Sequence, residues 1–316
     1  MNLQNKTIFL AGHNGMLGKH ILKELKKIKT AKILIVSRKK LDLCNGNKTE
    51  SFFKKYRPDV VINSASLVGG IKANYSRPAD FIIQNNTIQN NLLNSSLNNN
   101  VKFFCFIGSS CIYPKFSKQP IMEKELLSST LEPTNEYYAL AKIIGLKTLE
   151  AINKQHNMRG VCVMPCNLYS PFDNYFDDNS HVISAIIRKS IFSKIKNKKS
   201  LELWGNGSPL REFMHAEDAA RAIILAIRKT KNFDIINIGT GAEITIKDLA
   251  HKVNKIVGYN GKVIWNTKMP NGTPRKVLNI NKLKKLGFKP KYNLDLGLKK
   301  IIQNLDQKLI FNNPQR

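Results

Sequence analysis

The sequence predicts an α/β protein with a Rossmann-type, doubly wound parallel sheet and a smaller α+β substrate domain. Three observations support this fold class. Short apolar runs alternate with amphipathic helical patterns, a glycine-rich turn follows the first run, and 42% of the 316 residues are hydrophobic. The apolar runs are Thr7–Ala11, Lys32–Val36, Val60–Ala65, Phe103–Ile107, Gly160–Met164 and Ile235–Ile238. Apolar strands that alternate with helices are typical of a parallel sheet covered on both faces.

The chain divides into two predicted domains where this alternation stops. Between Met16 and Leu25 apolar residues recur at helical spacing, with lysines on the other face. The stretch 169–212 is rich in Asn, Asp, Ser and Pro and predicts long loops around one helix, and a mixed α+β tail follows Gly241. We therefore expect residues 1–168 and 213–240 to form the larger domain, and residues 169–212 and 241–316 the smaller one.

The net charge of +29 does not by itself indicate a nucleic-acid partner. Of the 51 basic residues 41 are Lys and 10 are Arg, and the chain contains 35 Asn. Joint Lys and Asn enrichment is what an AT-rich genome produces through codon bias. Arg, which is suited to bidentate contacts with phosphates and bases, is not enriched. We expect a solvated basic surface and no nucleic-acid partner.

The apolar pattern and the cysteines point to a reducing, aqueous compartment. No apolar run approaches the roughly 18 residues that a membrane span needs, and the N-terminal residues show no signal-peptide pattern. The cysteines are Cys44, Cys105, Cys111, Cys162 and Cys166, an odd number without a C-x-x-C pair. This argues against a zinc site and against a disulfide framework. We expect a cytoplasmic protein that binds neither a membrane nor a metal.

A glycine-rich loop follows the first predicted strand. Its residues are Gly12, His13, Asn14, Gly15, Met16, Leu17 and Gly18. Glycines allow a tight turn and a close backbone approach to a pyrophosphate, while the N-terminus of the next helix supplies N–H groups and a positive dipole. The strand–turn–helix setting therefore predicts a dinucleotide site.

The end of the second predicted strand indicates which dinucleotide binds. NAD sites usually have Asp or Glu there to hold the ribose 2′-hydroxyl. This chain instead has Arg38, followed by Lys39 and Lys40. Arg38 can pair with a 2′-phosphate, so NADP(H) is favoured, although Arg38 also fits a plain surface cation. Asp42 can accept a bond from the adenine amino group or cap a helix.

Tyr138 and Lys142 lie one helical turn apart in the pattern Y-x-x-x-K. A nearby cation favours the phenolate, and lowering a Tyr pKa from about 10 to about 7 needs roughly 4 kcal/mol. Such a Tyr can give a proton to a carbonyl oxygen while hydride arrives at the carbon. Ser109 follows the fourth predicted strand and can hold the same oxygen. The three residues predict a carbonyl reductase.

Together these motifs resemble the extended short-chain dehydrogenases that act on nucleotide sugars. A closer resemblance, to the GDP-L-fucose synthases, runs across nearly the whole chain in the family's order. The stretches that carry it are Ser64–Ile71, Gly108–Lys115, Leu131–Glu136, Asn179–Ile183, Trp204–Phe213 and Gly272–Lys276. Ser110–Lys115 and Gly272–Lys276 are specific to that branch.

The resemblance implies a two-part reaction. GDP-4-keto-6-deoxy-mannose would be epimerised at carbons 3 and 5 and then reduced at carbon 4 by NADPH. A ketone at carbon 4 acidifies the hydrogens on both neighbours, and reprotonation from the opposite face inverts each centre. The resemblance makes Cys111 the base and His181 the acid. Tyr138 and Lys142 would serve the reduction, with Ser109 polarising the ketone.

The resemblance also implies the binding residues. The larger domain would bind NADP and the smaller one the GDP-sugar. The cofactor contacts would be Gly12–Gly18, Arg38, Asp42, Leu43, Ala65, Ser66, Leu67, Asn85, Ile107, Gly108, Ser109, Lys142, Pro165, Cys166, Asn167, Leu168 and His181. The substrate contacts would be Lys189, Trp204, Arg211, Asn271 and Lys276, with Lys189, Arg211 and Lys276 neutralising the diphosphate. A homodimer would form through Thr87–Leu97 and the Tyr138 helix.

Two other functions stay open at this point. The first is a reductase without epimerase activity, acting on a related GDP-4-keto sugar such as a 6-deoxy-heptose. The second is a non-catalytic regulator that binds NADP or nucleic acid. The chain has Asn14 and Lys189 where the family has Arg, Asn271 where it has Asp, and Tyr137 where it has Pro. Further departures are Leu67 for Lys, Cys166 for Thr and Ser170 for Gly.

Overall fold

A computed structural model describes residues 1–29, 31–175 and 180–305 of the chain. The strands are β1 (Thr7–Ala11), β2 (Lys32–Leu34), β3 (Val60–Asn63), β4 (Phe103–Ile107), β5 (Arg159–Pro165), β6 (Asn167–Tyr169), β7 (Ser200–Trp204), β8 (Leu210–His215), β9 (Phe233–Ile238), β10 (Glu243–Thr245), β11 (Lys262–Asn266) and β12 (Arg275–Lys276). The helices are α1 (Met16–Lys26), α2 (Gly46–Tyr56), α3 (Ile71–Ser76), α4 (Pro78–Asn98), α5 (Glu136–His156), α6 (Val182–Ile195), α7 (Ala216–Lys229), α8 (Ile246–Val257), α9 (Asn281–Lys285) and α10 (Leu294–Asn304). Asn179, part of one stretch quoted above, and residues 306–316 of the predicted smaller domain lie outside the described residues.

The six predicted apolar runs form one parallel sheet. Its strand order is β2-β1-β3-β4-β5-β9, and every neighbouring pair is parallel. The order reverses between β1 and β3, and ligands bind at the carboxyl ends of strands at such a switch point. The Rossmann-type, doubly wound prediction is therefore confirmed. β2 is shorter than its apolar run because the chain turns at Ser37, whose carbonyl accepts from Lys40 and Leu41 N–H.

Helices cover both faces of this sheet. α1 packs against α7, while α4 packs against both α5 and α2. The central strands β3 and β4 are buried along their whole length, which explains their continuous apolar runs. α2 begins after Asn45, whose side chain accepts from Lys48 N–H, and it ends at Arg57 in the left-handed conformation.

The stretch 169–212 contains more regular structure than predicted. It holds the last residue of β6, the whole of α6 and β7, and the start of β8, rather than loops around one helix. β7 pairs in parallel with β11, some sixty residues later, and β8 pairs with β6, β10 and β12. These strands are short and their partners are distant in sequence, so local patterning carries little signal for them.

The described residues contain two large hydrophobic clusters. The first surrounds the six-stranded sheet, and the second lies between α6, α8, α10 and β7. Leu278, Ile280 and Leu283 pack in the first cluster although the sequence assigns them to the smaller domain. The division into domains stays a prediction, and these contacts do not follow it after β12. Among the described helices none is both long enough and apolar enough to cross a membrane.

Candidate active site

The glycine loop connects β1 to α1 at the switch point. Gly12 has a φ of +80°, and a Cβ there would lie 2.5 Å from the Ala65 nitrogen. A Cβ on Gly18 would lie 2.0 Å from the Gly12 carbonyl oxygen. Backbone fills both spaces, so both positions require glycine. At Gly15 a Cβ would meet just the Gly12 oxygen, at 3.3 Å.

The start of α1 suits a dinucleotide phosphate. Its N-cap is Gly15, and no side chain caps the helix, so its first N–H groups remain for a ligand. No acidic side chain lies in the first turn of α1 to oppose an anion. His13, Asn14 and Met16 are at least partly exposed around this loop, whereas Leu17 packs in the core. The loop therefore fits the pyrophosphate that the sequence predicts.

Arg38 lies in the turn that follows β2, on the same side of the sheet as the glycine loop. Its side chain is 72% exposed, and its Nε lies 3.7 Å from Asp42 Oδ2. Asp42 Oδ1 accepts from Cys44 N–H, so the carboxylate is held by its own turn, which also contains Leu43. The exposed guanidinium can turn toward a 2′-phosphate without leaving a buried charge unpaired.

Asn85 shapes the turn after β3. Its buried Oδ1 accepts from Ser66 Oγ and from Leu67 N–H, each at 2.7 Å, and its Nδ2 donates to the Leu67 carbonyl at 3.1 Å. Ala65 N–H donates to Asn63 Oδ1. The amide of Asn85 is thus used within the turn. Asn85 would contribute to a cofactor pocket by holding the turn that contains Ala65, Ser66 and Leu67.

Tyr138 lies at the start of α5, where the side chains of Ser109 and Ser66 come within hydrogen-bonding reach of it. Burial raises the pKa of Tyr138 above its ordinary value, although the two serines act in the opposite direction. The expected phenolate is therefore wrong for this structure. A neutral hydroxyl is the form that can donate a proton to a carbonyl oxygen.

The ammonium of Lys142 is directed at a backbone carbonyl rather than at the Tyr138 hydroxyl. Its Nζ donates to the Ile107 carbonyl at 3.0 Å and lies 5.8 Å from the centroid of the Tyr138 ring. Burial lowers the pKa of Lys142 to about 8. The ammonium is buried with one carbonyl partner at the end of β4. Its remaining N–H donors suit the hydroxyls of a cofactor ribose.

Cys111 lies in a short 3-10 helix, Ser110–Ile112, that follows β4. Ser109 caps this helix, and its Oγ accepts from Cys111 N–H at 3.2 Å. Two donors approach the sulfur, Lys276 Nζ at 3.6 Å and Asn135 Nδ2 at 3.7 Å. Cys111 also packs against the small cluster that contains Tyr138. The thiol and the reductive residues therefore share one site.

His181 is the N-cap of α6, and its Nδ1 lies 3.4 Å from Asp173 Oδ1. Although burial alone would lower the pKa of His181, the hydrogen bond and the charge of Asp173 together raise it. Asp173 is itself nearly buried and accepts from Ser184 Oγ. His181 is thus favoured in the protonated form, as an acid requires. His181 and Cys111 share no hydrogen-bond partner among the described residues: His181 contacts Asp173, whereas Cys111 contacts Asn135 and Lys276.

The predicted substrate residues lie in the part of the chain that the sequence assigns to the smaller domain. Arg211 Nη1 donates to the Leu210 carbonyl, its Nη2 lies 3.5 Å from the Asn271 carbonyl, and burial lowers the pKa of Arg211 to about 10. Asn271 Oδ1 accepts from Asn206 N–H, just after half-buried Trp204 at the end of β7. Lys189 donates to the Glu202 carbonyl on β7, at 2.9 Å. Lys276 points instead to Cys111.

The carboxyl ends of β4 and β5 complete the predicted cofactor region. Ile107 ends β4, and a Cβ on the next residue, Gly108, would lie 2.4 Å from Met164 Sδ. Pro165 ends β5 and leads to buried Cys166, whose N–H donates to the Ile238 carbonyl. Asn167 Nδ2 donates to the Glu212 carbonyl, and Leu168 packs on the main core. These residues form one wall beside β9.

A cavity of about 160 Å³ opens beside Tyr138. It is lined by Asn74, Tyr75, Pro78, Pro133, Thr134, Asn135, Tyr137 and Tyr138. The side-chain oxygens of Asn74 and Asn135 are buried without a hydrogen-bond partner. The cavity places polar groups and aromatic rings next to the reductive residues, as a sugar site requires.

The sequence did not identify Asn135, Asp173 or the role of Lys276 at Cys111. Asn135 lies in the quoted stretch Leu131–Glu136, but nothing local links it to a cysteine 24 residues earlier. Asp173 lies in a stretch that was interpreted as loop. The one local signal that could have identified Asp173 is its position eight residues before His181.

Comparison with known proteins shows the family to which the chain belongs. Residues 8–239 match the NAD dependent epimerase/dehydratase family. GDP-L-fucose synthase 1 of Arabidopsis thaliana is 44% identical over 298 residues, which cover 94% of this chain and 92% of the plant protein. The chain belongs to this family, in its GDP-L-fucose synthase group.

Two further relatives place the chain within the group. GDP-L-fucose synthase of Escherichia coli (strain K12) is 41% identical over 94% of this chain and 95% of its own length. The crystal structure of a GDP-6-OMe-4-keto-L-xylo-heptose reductase from C. jejuni superposes with a TM-score of 0.87 at 33% identity, over 96% of this chain and 98% of that one. The resemblance stated from the sequence is confirmed, and it covers 94% of the chain.

Proposed function

We propose that this protein uses NADPH to convert a GDP-4-keto-6-deoxy sugar, by epimerisation at carbons 3 and 5 and reduction at carbon 4. The observation that carries the proposal is the contact between Cys111 and the cluster of Tyr138. A base for carbon–hydrogen bonds and an acid for the carbonyl oxygen then reach one sugar ring. The family relatives named for GDP-L-fucose synthesis support the same substrate class.

Epimerisation needs proton transfer on opposite faces of the ring. Cys111 removes the proton next to the ketone, and the electron pair passes to the oxygen at carbon 4. Ser109 and Tyr138 donate hydrogen bonds to that oxygen, where they stabilise the enolate. His181 then returns a proton to the carbon from the other face. Its contact with Asp173 keeps that proton available near neutral pH.

Reduction uses the other residues of the site. Gly12–Gly18, Arg38 and Lys142 would hold NADPH, which would supply the hydride for carbon 4. Tyr138 donates its proton to the oxygen, since burial keeps its hydroxyl protonated. Ser109 holds the same oxygen in place. Arg211 and Lys189 would neutralise the diphosphate of GDP, and Trp204 and Asn271 would be further contacts of the GDP-sugar.

The direct test of this function is isotope exchange. Incubation of the enzyme with a GDP-4-keto-6-deoxy sugar in deuterated water, without NADPH, is expected to place deuterium at carbons 3 and 5. NADPH should then be consumed when it is added. NADPH consumption without deuterium incorporation would leave the alternative of a reductase that does not epimerise. The structural likeness to the heptose reductase favours that alternative.

Replacing Arg38 by Ala tests cofactor choice. Charge-assisted hydrogen bonds to a phosphate contribute about 1.5–3 kcal/mol, so we expect KM for NADPH to rise about 10- to 100-fold. KM for NADH should change little, because NADH has no 2′-phosphate. Lys39→Ala removes a neighbouring surface charge and serves as the matched control. Equal losses in the two variants would assign the effect to general charge.

Replacing Asp173 by Asn tests the acid. Because Asp173 raises the pKa of His181, its loss lowers that pKa. His181 then loses its proton at a lower pH than in the wild type. In a plot of deuterium-exchange rate against pH, the fall at high pH should therefore begin at lower pH. Ser184→Ala removes the other partner of Asp173 but leaves its charge, so its fall should stay near that of the wild type. An unmoved fall in Asp173→Asn would contradict the role of His181 as the acid.

We also propose that the protein forms a homodimer and that it is located in the cytoplasm. Ile83 on α4 and Ile144 on α5 are 65% and 40% exposed, and these two helices pack side by side. A second copy would cover this apolar face. Light scattering should give twice the mass of one chain, and a monomer at micromolar concentration would rule the dimer out. The five free cysteines and the use of NADPH support a reducing compartment.

In the proposed division of labour residues 1–168 and 213–240 bind NADP, and residues 169–212 and 241–316 bind the GDP-sugar. The second hydrophobic cluster supports this division, because most of its residues belong to the second part, whereas Leu278, Ile280 and Leu283 depart from it and pack in the first cluster. Glu212 joins the parts. Its buried carboxylate accepts from the N–H groups of Thr240, Gly241 and Leu278.

A further inference from the structure

Lys276 approaches the sulfur of Cys111 from the smaller domain. It ends β12, which pairs with β8 so that Lys276 lies opposite Arg211. Its Nζ is 3.6 Å from Cys111 Sγ, within the range of a hydrogen bond to sulfur. The preceding residue, Arg275, faces the other side of the strand and makes two bonds to Glu243, at 2.9 and 2.8 Å. Strand alternation therefore assigns Lys276, and not Arg275, to the active site.

The other groups around Cys111 add to this positive environment. Asn135 donates its Nδ2 to the sulfur at 3.7 Å. Arg211 lies opposite Lys276 in the pairing of β12 with β8, so a second cation is next to Lys276. Tyr138 belongs to the small cluster on which Cys111 packs. One ammonium and one amide donor thus contact the thiol, and a guanidinium lies beside that ammonium.

We propose that Lys276 is a positioning residue whose ammonium stabilises the Cys111 thiolate and directs it at the sugar ring, rather than a ligand of the diphosphate. The inference rests on the proposed function, since it concerns the base of the epimerisation. The distance to sulfur carries it. A thiolate is the basic form of cysteine, and an adjacent ammonium stabilises it.

Each proton in the epimerisation of one ring carbon has a donor and an acceptor. The Cys111 thiolate forms an S–H bond as the ring C–H bond breaks, and the electron pair moves into the enolate with oxygen at carbon 4. His181 gives its proton to the same carbon from the opposite face, and the enolate becomes the ketone again. Cys111 is left as a thiol and His181 as a neutral imidazole, and solvent restores both. Lys276 keeps its proton throughout.

Thiol alkylation tests the proposal without any substrate. Iodoacetamide labelling across pH, read by peptide mass spectrometry, follows Cys111 and Cys44 in the same sample. Burial and Asp42 raise the pKa of Cys44, which makes it an internal reference. We expect Lys276→Met to slow Cys111 labelling at neutral pH by about tenfold and to move its midpoint to higher pH. Lys276→Arg should retain the wild-type profile, and Arg275→Met is the matched control for the strand.

Kinetics then separate the two roles of Lys276. Loss of a thiolate partner should slow deuterium exchange about tenfold more than carbonyl reduction. Loss of a diphosphate ligand would raise KM for the GDP-sugar and leave the labelling profile of Cys111 unchanged. That second result would overturn the proposal. If the wild type shows no exchange, the proposed epimerisation fails, yet the labelling result still decides whether Lys276 stabilises the thiolate.

Discussion

Replacing Tyr138 by Phe is expected to slow reduction at carbon 4 by about 10²- to 10⁴-fold, the usual contribution of a general acid. The hydroxyl is the proton donor, and burial keeps it protonated. The ring of Phe still fills the cluster with Phe81, so the fold should persist. The measurement is NADPH oxidation under saturating GDP-4-keto sugar, with the product followed by mass spectrometry.

The neighbouring tyrosine provides the control. Tyr137 is 47% exposed at the same helix start and also lines the cavity beside Tyr138. Tyr137→Phe keeps the ring in that lining and removes only the hydroxyl, so the variant should reduce at nearly the wild-type rate. Deuterium exchange in Tyr138→Phe should fall less than reduction, because Ser109 still holds the enolate oxygen. A reduction rate in Tyr138→Phe equal to that of Tyr137→Phe would remove Tyr138 as the acid.

Replacing Cys111 by Ser should abolish the other half of the reaction. A serine hydroxyl is a far weaker base than a thiolate, so deuterium exchange at carbons 3 and 5 should fall by about 10²- to 10⁴-fold. Reduction of the 4-ketone should continue, because Tyr138, Lys142 and Ser109 are unchanged. NMR of the sugar ring after incubation in deuterated water measures the first effect, and NADPH oxidation measures the second.

A second accessible cysteine serves as the control for Cys111. Cys44 lies in the turn beside Asp42 and is also partly exposed. Cys44→Ser should keep both exchange and reduction. Undiminished exchange in Cys111→Ser would exclude the thiol as the base. Loss of exchange and reduction together would indicate that Cys111 supports the shape of the pocket rather than proton transfer.

The six-stranded sheet was predictable because its signals are local. A strand such as β4 is buried on both faces, so its five residues are all apolar and stand out in the sequence. The glycines at 12 and 18 are required by backbone contacts within a short loop. Strands β6 and β7 lack such a signal, because β6 has only three residues and β7 alternates buried with more exposed positions.

The candidate site was predictable in its residues but not in all its partners. Ser109, Tyr138 and Lys142 are recognisable from spacing, because one helical turn and one strand end bring them together. The expected ionisation of Tyr138 did not follow from its spacing to Lys142, because burial raises the pKa of Tyr138 and Lys142 donates to the Ile107 carbonyl. A spacing rule places two side chains on one face, but it does not say which atoms they contact.

The basic composition shows the same limit. The sequence establishes a chain rich in lysine, with a nucleotide loop at its start and a reductase pair in its middle. Which of the 41 lysines acts at the site is a tertiary property. Lys276 reaches Cys111 across 165 residues because β12 pairs with β8, and that pairing depends on the packing of the whole smaller domain. Charge and periodicity are local quantities, whereas the contact between this ammonium and this sulfur exists only once β12 has paired with β8.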